Sequence, residues 1–439
     1  MNAMRYLRIF LLPLGCILVG PVSAQDTLLS LDKAIELALQ NNFDIRIARN
    51  TRDRAANNSS AGNAGMLPRI DANGGYVKSV GSARQELSNG SEVDRDNSVS
   101  DNLNANVALT WTVFDGMRMF ATRKRLEELA AQGDQSLRIQ VENTTVDVIT
   151  AYYGVVQQQQ LLRSLGRQIA VAEEVVNINE RKFANGSGAK LDLLLARTDR
   201  NALLSDQMNT QAALDVAKVA LRNVLALEAS ISYSVEDTVI IAYDPSLDQL
   251  KQEAGAKNSL LVLYDREQRI AELGLKEQKA AHLPVINLTS AYQFTRATSN
   301  ASFILLNQNQ GLNYGVTASV PLFNGFKLNT QTKNAKLDLL NAQLEYDKAA
   351  HQVSADVLAS YQRFQAAKGV LQLEEENIAA ARELLEIARE RYRVGASNII
   401  ELKNAQATYG QSVRRLASAR NAAKLQETEL RRLSGALVR

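Results

Sequence analysis

Two stretches of the chain alternate apolar and polar side chains, and each hands over to a long stretch without proline. Ile286, Leu288, Tyr292 and Phe294 alternate with Asn287, Thr289, Gln293 and Thr295. On the return, Leu312, Tyr314, Val316, Ala318 and Val320 alternate with Asn313, Thr317 and Ser319. Earlier, Val107, Leu109, Trp111 and Val113 alternate with Asn106, Ala108, Thr110 and Thr112, after a weaker first strand from Ile70 to about Val80. A period of two predicts two β-hairpins. The segments 117–244 and 322–439 have helical spacing instead. Leu337, Leu340 and Leu344, then Val353, Val357, Tyr361 and Phe364, form a stripe rather than an all-round apolar surface. Proline inside a helix costs about 3 kcal/mol, so its absence from 117–244, and from 322 onward, permits very long helices.

The handover is written twice, as Phe114-Asp115-Gly116 and, just after Pro321, as Phe323-Asn324-Gly325. Asp115 and Asn324 are good helix N-cap types, and glycine permits a tight change of direction. The doubling extends much further. Ser30-Leu31-Asp32 returns as Ser246-Leu247-Asp248, and the same offset carries Asn42 onto Asn258, Pro68 onto Pro284 and Tyr76 onto Tyr292. Beyond the hairpins a slightly smaller offset carries Gly116 onto Gly325, Tyr152 onto Tyr361, Gly186 onto Gly395 and Leu221 onto Leu430. Constant register over such lengths predicts a tandem duplication, with one repeat over 25–245 and the second over 246–439. Each repeat reads helix, hairpin, long helix, turn, helix. The first helices are expected to start at the N-caps Ser30 and Ser246 and to run to about 65 and 281, with interruptions near Asn42 and Asn258.

Residues 1–24 have the three parts of a secretory signal: Arg5 and Arg8, an apolar run from Ile9 to Gly20, and Val22-Ser23-Ala24 as a small-residue cleavage site. Acylation of Cys16, the only cysteine, is the other reading of this segment. Without Arg5 and Arg8 the 50 basic residues fall to 48, against 47 acidic ones. With no basic stripe either, this balance gives no reason to expect nucleic acid. No later stretch has about 18 uninterrupted apolar residues, so in an exported chain any membrane insertion must use the strands. Alternating strands also fit a soluble sandwich with one wet face, but two hairpins in a helical exported chain favour a membrane β-barrel. The loops 81–102 and 297–311, polar apart from 303–306, are expected on the far side of that membrane. Four strands are too few to close a barrel, and lipid does not tolerate open strand edges. Closure therefore requires several copies; three would supply twelve strands with room for a lumen.

The long helices are expected to end in two turns, Arg181–Gly186 and Arg391–Gly395, with Gly186 and Gly395 in the left-handed position past a helix end. Asp192 and Glu401 then fall just inside the returning helices. Such acids fit helix-dipole stabilisation and fit equally a carboxylate ring at a pore mouth. Trp111, Tyr76 and Tyr292 fit an aromatic girdle or ordinary packing. The two histidines, His282 and His351, lie far apart without a cysteine or acidic cluster, and there is no nucleotide-binding or hydrolase motif. No cofactor, metal site or catalytic centre is expected.

The duplication, the LFNG and VFDG junctions and the stretch RYRVGASNIIELKNAQ at 391–406 together resemble the TolC family of outer-membrane efflux and secretion channels. The resemblance covers nearly the whole chain after residue 24. It implies a homotrimer whose twelve-stranded barrel sits in outer-membrane lipid and continues as a long α-helical periplasmic tunnel. It implies a passive exit duct, docked through a periplasmic adaptor onto an inner-membrane transporter. Tips containing Gly186, Ser187 and Gly188, and Val394, Gly395, Ala396 and Ser397, would be the adaptor-docking and gating end. Glu401 matches a position that often carries an aspartate ring, Asn404 one where a second aspartate occurs, and Tyr392 and Asp192 match positions in closing contacts. Ser397 stands where an arginine can join those contacts. The rival reading is a periplasmic adaptor or structural coiled-coil protein without a pore.

Overall fold

The computed structural model describes residues 27–228, 233–300 and 304–438. The expected signal segment 1–24, with Cys16, lies outside the described residues, as does Phe303. Strand β1 (Thr27–Leu29) leads into helices α1 (Leu31–Asn41) and α2 (Phe43–Asn58). Strands β2 (Arg69–Glu86) and β3 (Glu92–Phe114) follow, then α3 (Arg118–Ala184) and α4 (Lys190–Leu225). The same order then recurs: β4 (Tyr233–Val235), α5 (Leu247–Lys257), α6 (Ser259–Ala280), β5 (Val285–Ser299), β6 (Leu306–Ser319), α7 (Lys327–Arg393) and α8 (Ile399–Leu433).

The helix starts follow the capping chemistry of the sequence. Ser30 Oγ accepts from Lys33 N at 3.3 Å, and Ser246 Oγ accepts from Gln249 N at 3.2 Å. The interruptions fall at Asn42 and Asn258, each of which caps two helices at once. Asn42 Oδ1 accepts from the N–H groups of Asp44 and Ile45, while its Nδ2 donates to Val224 O at the end of α4. Asn258 does the same with Leu260, Leu261 and Leu433 O at the end of α8. One amide thus satisfies a helix start and a distant helix end.

Strands β2, β3, β5 and β6 form one antiparallel sheet in that order, with β2 and β6 at its edges. The register puts Ile70 beside Leu109, Val107 beside Tyr292, Tyr292 beside Leu312, and Leu288 beside Val316. With a period of two, these side chains share one face, joined by Trp111 and Tyr314. The other face carries Asn73, Asn106, Thr110, Asn287, Thr289, Gln293, Asn313 and Thr317. The apolar face is bare in the single chain, Tyr314 being 83% and Val316 68% exposed.

Two expectations are corrected here. Most of the polar stretches 81–102 and 297–311 is strand rather than loop, since β2 runs to Glu86, β3 starts at Glu92, β5 reaches Ser299 and β6 starts at Leu306. Pairing uses main-chain groups, and polar side chains do not oppose it where both faces meet water. Composition there reports solvation, not the ladder. Second, Asp115 and Asn324 are not the N-caps. Met117 (φ 70°) and Phe326 (φ 64°) hold that place, each after a left-handed glycine, Gly116 (φ 72°) or Gly325 (φ 64°). Two left-handed residues in a row turn the strand into the helix, at about 1–2 kcal/mol for each that is not glycine. Asp115 still serves the helix, its Oδ1 accepting from Met119 N at 3.1 Å. Gly116 is also required by packing, because a Cβ there would lie 2.6 Å from Ala280 O.

Helices α3 and α7 are each 67 residues long, about 100 Å at 1.5 Å per residue. Near the sheet α3 packs between α2 and α6, with α7 beyond α6; further along, α3 packs against α4 and α8, with α7 beyond α8. Two apolar clusters collar the middle, one around Val148, Tyr152, Leu221 and Leu225, the other around Leu250, Val357, Phe364 and Leu430. A third holds the far end, where Val175, Leu385, Tyr392, Leu402 and Tyr409 meet. Among the described residues no helix is long and apolar enough to cross a membrane.

Candidate functional site: the helical hairpin tips

The end of the helices away from the sheet is built by two helix stops. Helix α3 closes with Gly186 N donating to Phe183 O and Ser187 N to Lys182 O, with Gly186 at φ 70°. Helix α7 closes in the same way, Gly395 N to Tyr392 O and Ala396 N to Arg391 O, with Gly395 at φ 78°. Each pattern satisfies carbonyls that a helix end would leave open. Gly188 is constrained differently: a Cβ there would lie 2.7 Å from Lys182 Cβ. The second tip is also capped on its return, Asn398 Oδ1 accepting from Glu401 N at 2.9 Å, whereas Ala189 gives α4 no side-chain cap. Val394 is 70% exposed at this tip, and Ala396 is exposed too. Ser397 Oγ turns back to Asn398 O at 3.3 Å.

Tyr392 is buried between the hairpins. Its hydroxyl donates to Asn179 Oδ1 at 2.8 Å, Asn179 Nδ2 donates to Val175 O, and the Lys182 ammonium lies 4.9 Å from the ring centre. Burial pushes the Tyr392 hydroxyl above its ordinary range, and the negative charge of Asp192 adds to this. Asp192, half-buried in the first turn of α4, is thus near enough for its charge to be felt at Tyr392, but no hydrogen bond joins the two. Glu401 lies elsewhere on the same end, its Oε1 2.8 Å from Arg391 Nη1 across the turn. Asn404 is exposed one helical turn further along α8, on the Glu401 side, and its carbonyl accepts from Thr408 Oγ1.

Sequence reasoning did not find the groups that tie the hairpins together. Arg389 Nη2 on α7 is 2.5 Å from Glu174 Oε2 on α3, and Lys403 Nζ on α8 is 2.6 Å from Asp199 Oδ1 on α4. The Glu174 carboxylate holds the Arg389 guanidinium above its already high value. Asn179 had a legible signal: it continues the stripe Ala172, Val175 and Val176 at helical spacing, an amide where an apolar residue is expected. The ion pairs had none, because they join residues about 200 positions apart. Among the described residues no group of three or more His, Cys, Asp or Glu is placed to hold a metal ion.

A one-faced apolar sheet of four strands carrying two 67-residue helices defines a class, the outer-membrane channels with a helical periplasmic extension. The family of outer membrane efflux proteins matches residues 34–227 and 250–436, and the chain belongs to it. It is 23% identical to the outer membrane protein TolC of Vibrio cholerae over 88% of this chain and 86% of that protein. It is 22% identical to the proteases secretion protein PrtF of Dickeya chrysanthemi, over 81% of this chain and 77% of that one. The crystal structure of the CmeC outer membrane channel of Campylobacter jejuni superposes with a TM-score of 0.76 at 15% identity, covering 93% of this chain and 86% of that one. The protein is thus an outer-membrane channel of the efflux-protein family. The adaptor and pore-free readings are not supported, and the family consists of channels rather than enzymes.

Proposed function

We propose that three copies of this chain close a twelve-stranded barrel and form a passive exit duct, which receives its cargo from an inner-membrane transporter through a periplasmic adaptor. The observation that carries this reading is the sheet with free edges at β2 and β6 and a bare apolar face. Unpaired edges in hydrocarbon cost several kcal/mol per backbone group, so other copies must cover them. In this reading the halves 25–245 and 246–439 arose by duplication. The tips around Gly186–Gly188 and Val394–Ser397 are the adaptor-docking end. Asp192 and Tyr392 take part in closing it, and Glu401 with Asn404 lines the entrance. The amide Asn179 and the pairs Arg389–Glu174 and Lys403–Asp199 hold adjacent hairpins in register within one chain.

The test is imaging of detergent-extracted outer-membrane protein, followed by single-channel recording in planar bilayers. A threefold hollow cylinder with a helical tube of about 100 Å and stable conductance steps are expected. Compact particles or rods without conductance would overturn the proposal.

A further inference from the structure

Where the sheet passes into the helices, α3 and α6 leave a cavity of about 420 Å³. Met117, Phe120, Leu273 and Leu283 form its apolar walls, against the backbone of Gly116 and Ala280. Three exposed ammonium groups, Lys124, Lys276 and Lys279, border it. Only Lys276 is engaged, 2.8 Å from Glu272 Oε1; among the described residues Lys124 and Lys279 form no ion pair. Three positive charges therefore face one carboxylate beside an apolar hollow.

The position of the hollow along the molecule matters. Met117 follows the end of β3 by three residues, and Lys124 is seven residues further, about 10 Å at 1.5 Å per residue. A bilayer's polar layer adds about 5–8 Å on each side of the hydrocarbon core, so if the sheet spans the core the Lys124 backbone stands just beyond that layer, and its flexible four-carbon stem can bring the ammonium back to headgroup height. The two sides of the helix pair also differ. Arg118, Arg125, Glu277, Gln278 and Asp338 line another cavity across the same helices, where Arg125 Nε is 2.8 Å from Glu277 Oε1. At about 100° per residue the two sets point to different sides of α3 and of α6. The sheet sorts its faces likewise, Asn and Thr on one and Leu, Val and Tyr on the other. In composition the apolar, lysine-bordered hollow matches the apolar face of the sheet, and the polar cavity matches its Asn- and Thr-bearing face.

We propose that this hollow binds one anionic glycerophospholipid of the leaflet next to the helices, its phosphate among Lys124, Lys276 and Lys279 and an acyl chain against Phe120, Leu273 and Leu283. Basic groups above an apolar slot suit such a lipid, because the headgroup supplies the charge and the chain the buried area. This inference rests on the reading of the sheet as a membrane barrel.

The test is native mass spectrometry of the full-length protein in mild detergent, titrated with dioleoyl-phosphatidylglycerol or dioleoyl-phosphatidylcholine. Retention of up to one phosphatidylglycerol per chain is expected where phosphatidylcholine is lost. The combined substitution Lys124→Gln, Lys276→Gln and Lys279→Gln should weaken it by about tenfold or more. Millimolar inorganic phosphate should not displace the lipid, and dihexanoyl-phosphatidylglycerol should bind more weakly than the long-chain form. Equal retention of both lipids, undiminished binding by the lysine variant, or displacement by phosphate would each overturn the assignment. Conductance of the same preparation separates the two levels. Pores without selective lipid retention sink this inference alone, and absence of pores removes the barrel reading beneath it.

Discussion

At Asn258 a single side chain joins the start of α6 to the end of α8, and it is only 4% exposed. Replacing it by Ala removes the acceptor for two N–H groups and the donor to Leu433 O, both in a buried place. A missing cap costs about 0.5–2 kcal/mol and a stranded buried partner about 1–3. Asn258→Ala should therefore lower the thermal midpoint of the assembled protein, followed by circular dichroism, by more than Asn258→Ser, which keeps a neutral cap acceptor. Equal midpoints for the two variants would count against the double role. Tyr152 makes a different prediction. Its hydroxyl donates to Leu29 O and accepts from Glu236 N, and burial pushes its pKa up to about 12. The folded state holds this proton more tightly than the unfolded chain, whose tyrosines titrate near pH 10. Its contribution is complete below about pH 10 and is lost as pH rises through the folded value. The midpoint should fall between pH 10 and about 12, and Tyr152→Phe, though less stable throughout, should fall less steeply. Parallel slopes would refute the linkage. Asn42 and Asn258 were legible in the sequence as helix interruptions. That each amide also reaches a helix end 175 or more residues away was not, because nothing local encodes a tertiary partner.

Among the elements, the hairpin tips depend on two left-handed glycines. Gly395→Val puts a β-branched side chain at φ 78°, where even an ordinary residue costs about 1–2 kcal/mol, and it should unwind the last turn of α7. In the proposed assembly, crosslinking of a photoreactive group at Ser397 to a periplasmic adaptor should fall while trimers still form; undiminished crosslinking would argue that the tip does not dock. Glu401→Gln should reduce cation preference if the acid lines the entrance, read as a reversal potential across a salt gradient. The shift is expected to be small, because Arg391 already balances much of that charge at 2.8 Å. A reversal potential identical to that of the unaltered channel would place Glu401 off the ion path. These tips were readable from sequence because helix stops carry local signals, a basic last turn and a glycine beyond it. The outer stretches 81–102 and 297–311 were expected as loops for the opposite reason. Their pairing resides in the main chain, and Ser- and Asn-rich side chains on 81–102 conceal it. The true caps Met117 and Phe326 were hidden likewise, since neither residue type announces a left-handed conformation.

The proposed assembly poses one question at the scale of the whole molecule: how the free edges of β2 and β6 meet. If the two halves are repeats, β3 beside β5 in one chain is the template for β6 beside β2 of the next copy. The observed pairing sets Val107 opposite Tyr292 and Leu109 opposite Ser290. The sequence offsets carry Val107 onto Val316 and Tyr292 onto Tyr76, and likewise Leu109 onto Ala318 and Ser290 onto Gly74. Between copies Val316 should therefore face Tyr76, and Ala318 should face Gly74. Directly opposed residues on antiparallel strands stand about 4.5–5.5 Å apart at Cα, within the span of a disulfide. Cys16 is the only cysteine in the sequence, so in a Cys16→Ser background introduced pairs are read without interference. The double variant Val316→Cys with Tyr76→Cys should give a covalent trimer on mild oxidation, and monomer again on reduction. Val316→Cys with Val80→Cys displaces the partner by four residues, about 13 Å along a strand, and should stay uncrosslinked. Crosslinking by the displaced pair alone would shift the register between copies. Failure of both pairs in a channel that still conducts would show that the edges are covered by something other than each other.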